Sequence, residues 1–292
     1  VLAALLQCLR TAQQQRLKGV LSTNGAAFVR FAYGFPLALL GCGALFWVDP
    51  VAMPTPGLWF FVYVLIGGVA QILATSLLIL AFSLRNFAVG TAYSKTETVQ
   101  AAIFATLFLG EPLSGGAWIA IAISLSGVML LTLQGAKLSP RALLSGLGER
   151  AAQIGILAGG LFGVSAVAIR AAALTLEGPA LDRSVLTLMA MTGLQTVLML
   201  VYLRWREPGQ IAKAGISWRS SAPVGVMSVV GSFCWFLAMT LEPVAHVRAL
   251  GQIELVFTFF AARLMLGESP NRGEILGSSL VVGGVVVLLL LR

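Results

Sequence analysis

The sequence predicts an all-α membrane protein, with ten transmembrane helices in two inverted five-helix repeats around a central cavity. Composition, apolar windows and an internal repeat carry this prediction. Of 292 residues, 58% are apolar and only 10% are charged, with mean hydropathy +0.94. A soluble domain carries about 25% charged residues, so an ordinary globular fold is excluded. Disorder is excluded too, because it needs low hydrophobicity. The net charge of +8 is scattered between apolar runs, too thinly for a phosphate-tracking surface, which excludes nucleic acid as a partner. Such a basic excess fits the cytoplasmic edge of a membrane protein.

Apolar windows fall at 1–16, 24–47, 58–82, 87–109, 115–134, 151–173, 184–203, 220–241, 244–266 and 274–291. Each of them can cross or nearly cross a hydrocarbon layer of ~30 Å. The runs are continuous rather than alternating, and backbone in lipid must satisfy itself, so they are helices. The first window is short and starts without Met, so its helix is expected to extend beyond residue 1. Asp49-Pro50 with Pro54 and Pro56 ends the second span, and Glu111-Pro112 ends the fourth. The polar stretch 135–150, with Lys137, Pro140, Arg141 and Arg150, divides the chain into repeats 1–135 and 136–292.

The repeat is visible in the residues themselves. With a shift of 157, residues 81–134 fall on 238–291 with 16 identities in 54 pairs, and no gap is needed. Leu109-Gly110-Glu111 lands on Leu266-Gly267-Glu268, Glu97 on Glu254, and Gly127 on Gly284. The matched glutamates weigh most, because acids are rare here. Five spans per copy is an odd number, so the second copy enters from the opposite face. That is the plan of secondary transporters, whose site lies at the midplane between copies.

Six basic residues (Arg10, Arg30, Lys95, Arg170, Arg248, Arg263) and two acids (Glu97, Glu254) lie within these spans. A charge at mid-bilayer costs at least ~2.5–3.5 kcal/mol, so each needs a cavity or a partner. Arg170, Arg248 and Arg263 lie near span ends and can snorkel. Arg10 sits in the incomplete first helix, which gives it no assigned depth. Glu97 and Glu254 sit near span centres, too deep for a short side chain to reach water. Two readings stand for them. They titrate protons or bind an amine beside a substrate, or they tie helices together, neutral or paired with Lys95 or Arg30.

On a continuous helix Lys95 and Glu97 stand about 200° apart. The spacing puts Tyr93, Glu97, Gln100 and Phe104 on one stripe, and Lys95, Thr98 and Ala102 on another. Tyr93 to Glu97 is a polar island unsuited to face lipid. Its counterpart in the second copy holds Gln252 and Glu254, with Arg248 a turn away. The third span offers Gln71 and Thr75, and the eighth offers Ser228, Ser232 and Trp235, with Gln71 matched to Ser228 and Thr75 to Ser232. Arg30 and Tyr33 in the second span reach the same space. A lone Ser or Thr in a helix often bonds its own backbone, so the coincidence across repeats carries the signal.

Gly155, Gly159 and Gly163, and Gly277, Gly283 and Gly284, allow close helix approach. Trp47, Trp59, Trp118, Tyr202, Trp205 and Trp218 fit an interfacial belt. Three cysteines without metal spacing, a single His246 at a span boundary, and no HExxH or phosphate loop lead us to expect no catalytic residue, metal or cofactor.

The five-plus-five plan, mid-helix Glu97 followed by Leu109-Gly110-Glu111, and Glu254 followed by Leu266-Gly267-Glu268 together resemble the drug/metabolite transporter superfamily, in particular its EamA-type members. The likeness covers essentially the whole chain. It implies a cavity lined by helices one to four and six to nine, with the fifth and tenth outside as buttresses. Substrates in the superfamily include amino acids, sugar phosphates, nucleotide sugars and drugs. The proline frequent after the helix-four glutamate is replaced here by Thr98, which removes the usual reason for a kink. Lys95 is also unusual and favours an anion-binding site.

The expectation is a secondary exporter of amino acids or similar carboxylate-bearing metabolites, in the cell inner membrane as a multi-pass monomer. Its partners are then the small-molecule substrate and the lipid bilayer. Lys95 or Arg30 holds a carboxylate, Glu97 and Glu254 bind an amine or exchange protons, and Tyr93 and Trp235 form walls. The alternative within this fold is a proton-coupled drug or cation extruder in which Lys95 is structural. An integral membrane enzyme is the rival from another class.

Overall fold

A computed structural model describes residues 2–17, 19–48, 53–81, 93–135, 148–257 and 272–291. The Asp49-Pro50 turn, Lys137, Pro140, Arg141, Arg263 and Leu266-Gly267-Glu268 lie outside the described residues. The described residues form helices and turns, with no strand among them. In chain order these helices are α1 (Leu2–Leu17), α2 (Thr23–Ala32), α3 (Phe35–Val48), α4 (Leu58–Ala81), α5 (Glu97–Leu109) and α6 (Gly115–Gly135). There follow α7 (Arg150–Leu174), α8 (Ala180–Arg206), α9 (Gln210–Ile216), α10 (Trp218–Leu241), α11 (Val244–Gly251) and α12 (Arg272–Leu290).

Six stretches are long and apolar enough to cross a bilayer: Thr23–Val48, Leu58–Ala81, Gly115–Thr132, Arg150–Leu174, Ala180–Arg206 and Trp218–Leu241. Shorter apolar helices lie at Leu2–Thr11, Glu97–Leu109 and Ile275–Leu290. The expected ninth span, 244–266, opens as α11 and is described to residue 257. The expected second span is one hydrophobic run but two helices, α2 and α3, parted by a turn at Tyr33–Gly34. Pro36 explains the break, because it has no N–H and its ring clashes with the preceding turn. Gly225 of α10 presses against the backbone of Tyr33 and Gly34, where a side chain has no room.

Packing partners come in exchanged pairs. Helix α4 packs on α7 as α10 packs on α1, and α4 packs on α8 as α10 packs on α2. These are third span on sixth against eighth on first, then third on seventh against eighth on second. Two structurally equivalent copies exchanged by a two-fold axis generate this pattern. Helices α6 and α12 pack extensively on one another. A Cβ at Gly127 would stand 2.6 Å from the Gly277 carbonyl, and one at Gly284 would stand 2.8 Å from the Ala120 carbonyl. In lipid, where apolar burial drives no association, such backbone approach supplies the contact. The aromatic residues Trp47, Trp59, Trp118, Tyr202, Trp205 and Trp218 are all exposed at the outer surface.

The Leu109-Gly110-Glu111 motif has a local physical account. Gly110 adopts φ +64°, ending α5, and its N–H bonds the Ala105 carbonyl. This left-handed C-terminal position suits glycine. Glu111 then meets the guanidinium of Arg170 on α7 in an ion pair. The expectation that Arg170 snorkels is corrected. Its Nη1 donates to the carbonyls of Met239 at 2.7 Å and Glu242 at 2.8 Å, capping the end of α10. Unsatisfied carbonyls at a helix C-terminus attract a cation more closely than the membrane edge does.

Replacing Gly127 by Leu should lower the thermal unfolding midpoint in detergent, by a destabilisation of about 1–3 kcal/mol from overpacking against rigid backbone. Gly283→Leu is the control, since nothing lies within 4 Å of its Cβ position. Equal midpoints for the two variants would contradict the packing described.

Candidate functional site

Two helices are interrupted at matching places. Residues 93–94 are helical, Lys95–Thr96 form a turn, and α5 starts at Glu97. In the second copy α11 ends at Gly251, Gln252 is a turn, and helix resumes at 253. Lys95 and Gln252 are mates under the shift of 157. The N–H of Thr96 donates to the Tyr93 carbonyl at 3.1 Å and that of Gln252 to the Ala249 carbonyl at 3.2 Å, each three residues back. The Thr96 hydroxyl also donates to the Tyr93 carbonyl, at 2.6 Å, and accepts from Gln100 Nε2 at 2.8 Å. Interrupted helices of this kind, lining a cavity, are where transporters place substrate sites.

Across the breaks the charges cross-pair. Arg248 Nη1 lies 2.7 Å from Glu97 Oε1, and Lys95 Nζ lies 3.8 Å from Glu254 Oε2. Glu254 Oε2 also accepts from Gln7 Nε2 on α1 at 2.7 Å, and Gln7 Oε1 accepts from Trp235 Nε1 at 3.1 Å. The guanidinium of Arg248 lies 5.5 Å from the centre of the Trp235 ring. Each ion pair joins one copy to the other, and Gln7 joins α1 to both α10 and the second break.

These groups border a cavity of about 290 Å³. Of the expected site residues, Arg30, Gln71, Lys95, Glu97, Ser232, Trp235 and Glu254 line it. Lys95 and Glu97 share it despite their expected opposite faces. The turn at Lys95–Thr96 breaks the 100° per residue rotation on which that expectation rested. Helices α6 and α12 supply none of its lining among the described residues, in keeping with buttresses.

The other expected residues are placed around it. Gln252 is buried, donating to Thr98 Oγ1 and accepting from Ser124 Oγ, at 2.8 and 2.7 Å. It borders a smaller recess beside Glu97 and Glu254. Thr75 accepts from Arg30 Nη1 at 3.2 Å. The Tyr33 hydroxyl donates to the Ala214 carbonyl at 2.9 Å, turned toward the end of α9. Gln100 fits against Gly160 of α7, away from the cavity. Tyr93 is half-buried and is not among the cavity-lining residues. Ser228 borders a separate void of about 10 Å³, roughly one water, with Gln71 and Gln195, which bond each other at 2.8 Å.

Sequence reasoning missed Gln7, Arg10 and Arg248. Arg248, expected to snorkel, instead turns inward toward Glu97. The buried carboxylate is a stronger draw than the membrane edge one turn away. Gln7 and Arg10 lie on α1, where Gln7, Arg10, Thr11 and Gln14 recur at i, i+3, i+4 and i+7 and form one polar stripe, three of whose residues line the cavity. That spacing in an otherwise apolar first span is the signal that could have pointed to them. Glycines of α7 behave as expected: a Cβ at Gly159 would stand 2.8 Å from the Ser94 carbonyl, so α7 holds the first break closely.

A buried pair broken on one side leaves an uncompensated charge, costing about 3–5 kcal/mol, whereas removing both partners costs much less. Arg248→Gln should therefore destabilise the protein strongly in denaturant unfolding, and adding Glu97→Gln should recover part of the loss. Additive losses would show that the two side chains are not coupled.

The sequence profile of the EamA-like transporter family matches the chain twice, over residues 1–133 and 151–290. No curated protein matches it. A solved structure, described only as the crystal structure of a protein, superposes with TM-score 0.73 at 16% identity. The match covers 99% of this chain and 94% of that one, and at such identity it speaks for the fold alone. Two family matches on an all-helical chain with multiple apolar spans settle its kind: the chain belongs to the EamA-like transporter family and is a multi-pass membrane transporter of the drug/metabolite transporter superfamily.

Proposed function

We propose that this transporter exports small carboxylate-bearing metabolites, amino acids foremost, across the inner membrane by alternating access. The observation that carries this reading is the charge of the cavity: four bases, Arg10, Arg30, Lys95 and Arg248, against two acids, Glu97 and Glu254. In a low-dielectric cavity an excess of cations attracts an anion and repels a cation. This disfavours the cation-extruder alternative. Arg30 and Lys95 meet the carboxylate, and Trp235 forms a wall. Glu97 and Glu254 exchange their cross-pairs for an amine or a proton as the cavity turns.

Residues 1–135 and 136–292 act in this proposal as the two inverted copies, and rocking of one against the other moves the cavity from face to face. The cross-paired charges join elements that such rocking would part. The proposal takes a single chain as the working unit. Export is the direction this proposal adopts, and flux in vesicles of known orientation tests it.

Flux of radiolabelled amino acids in proteoliposomes, with and without a pH gradient, checks the proposal. Lys95→Ala and Glu97→Gln should each reduce transport on the order of 30-fold or more, the factor for losing one charged hydrogen bond of about 2 kcal/mol. Lys95→Ala should still elute as folded protein, and Glu97→Gln, which leaves Arg248 unpaired, should be compared at equal folded amount. Normal transport by both would overturn the assignment.

A further inference from the structure

We propose that the cavity selects a substrate with two negative charges, and that Arg10 is the side chain that recognises the second. This rests on the anion-transport reading above and narrows it. Two of the four lining bases are already engaged by acids, Arg248 by Glu97 and Lys95 by Glu254. Arg10 and Arg30 are in no ion pair among the described residues. Both are nine-tenths buried, at 9% and 6% exposure, and both border the same cavity.

Their protein partners leave most donors unused. Arg10 Nε is buried without a hydrogen-bond partner. Arg30 donates to the neutral hydroxyl of Thr75 at 3.2 Å and lies 5.3 Å from the centre of the Phe31 ring. Neither contact neutralises a charge. Arg30 also feels the positive charges of Arg10 and Arg248. Arg10 feels the attraction of Glu254, but that carboxylate is already engaged by Gln7 and Lys95. The lining therefore carries two positive charges in excess, held close together by α1 and α2.

A guanidinium offers five N–H donors in a rigid fork matched to the oxygens of a carboxylate or phosphate. Two such forks at one cavity fit two carboxylates, or the several oxygens of one phosphomonoester. A zwitterionic amino acid with an apolar side chain leaves one of them unanswered. The volume of about 290 Å³ is at the small end for ligand sites, which limits the occupant to a compact metabolite. Dicarboxylates and phosphomonoesters share the required charge, and the probes below distinguish them.

The test is binding and flux at pH 7.5 with succinate, glycerol phosphate, butyrate and alanine, using purified transporter reconstituted in vesicles. The wild type should prefer succinate or glycerol phosphate over butyrate by about tenfold or more. Whichever dianion is favoured names the chemistry. Arg10→Gln should bring that ratio down to about one, and Arg10→Lys should keep part of it, since charge survives while the fork is lost. Equal handling of butyrate, alanine and succinate by the wild type overturns the dianion proposal and leaves carboxylate transport standing. Failure of all four probes to bind overturns both. A wild-type preference undiminished in folded Arg10→Gln removes Arg10 from the role.

Discussion

The structure depends on one constraint: charges buried among apolar helices must find each other, and here they do so across two interrupted helices. Lys95 and Glu97 at the first break face Glu254 and Arg248 at the second, so each acid is held by a base of the other copy. A continuous helix would set Lys95 and Glu97 on different faces and leave one of them in lipid. The breaks at Lys95–Thr96 and Gln252 let both sets of charges turn toward one space. Once that space is polar, its walls must hold it open. Gln7, bridging Trp235 and Glu254, does this from α1.

Around this centre packing holds the described helices together. Glycines bring backbones together where lipid offers no other drive, at Gly127 with Gly277 in the buttress and at Gly159 with Ser94 beside the first break. Glu111 and Arg170 perform a different service. The left-handed Gly110 ends α5 so that Glu111 can meet Arg170, which in turn caps the carbonyls ending α10. The family-like motif at 109–111 thus fixes a junction between copies and stands apart from the cavity.

Much of this was legible in the residues. Composition gave the membrane class, window lengths gave the six long spans seen among the described residues, and the matched glutamates gave the repeat, because rare residues at equal spacing stand out from an apolar background. The helix breaks were not legible. Thr98 stands where proline would have announced the first one, and the turn there is held by Thr96 and Gln100 side chains. These bonds are local, spanning three and four residues, but Thr and Gln at such spacing also occur in unbroken helices and so announce no break. The inward turn of Arg248 was hidden for a related reason: distance along the chain to a span end says nothing of a carboxylate waiting on another helix. Repeat symmetry and proximity each located part of the site: Glu97, Glu254, Gln71, Ser232 and Arg30 border the cavity, whereas Thr75, Ser228, Tyr33 and Gln100 do not.

The central claim is that these charges border water rather than lipid or sealed protein. Site-directed thiol labelling tests it most directly, in a background with Cys8, Cys42 and Cys234 replaced by Ala. Ser94→Cys and Ser232→Cys face the cavity, whereas Val230→Cys faces outward at 41% exposure. A charged, membrane-impermeant thiol reagent should modify the first two and leave the third unmodified, because thiolate forms in water and not in hydrocarbon. Modification of Val230→Cys alone, or of none of the three, would contradict a water-filled cavity at the helix breaks.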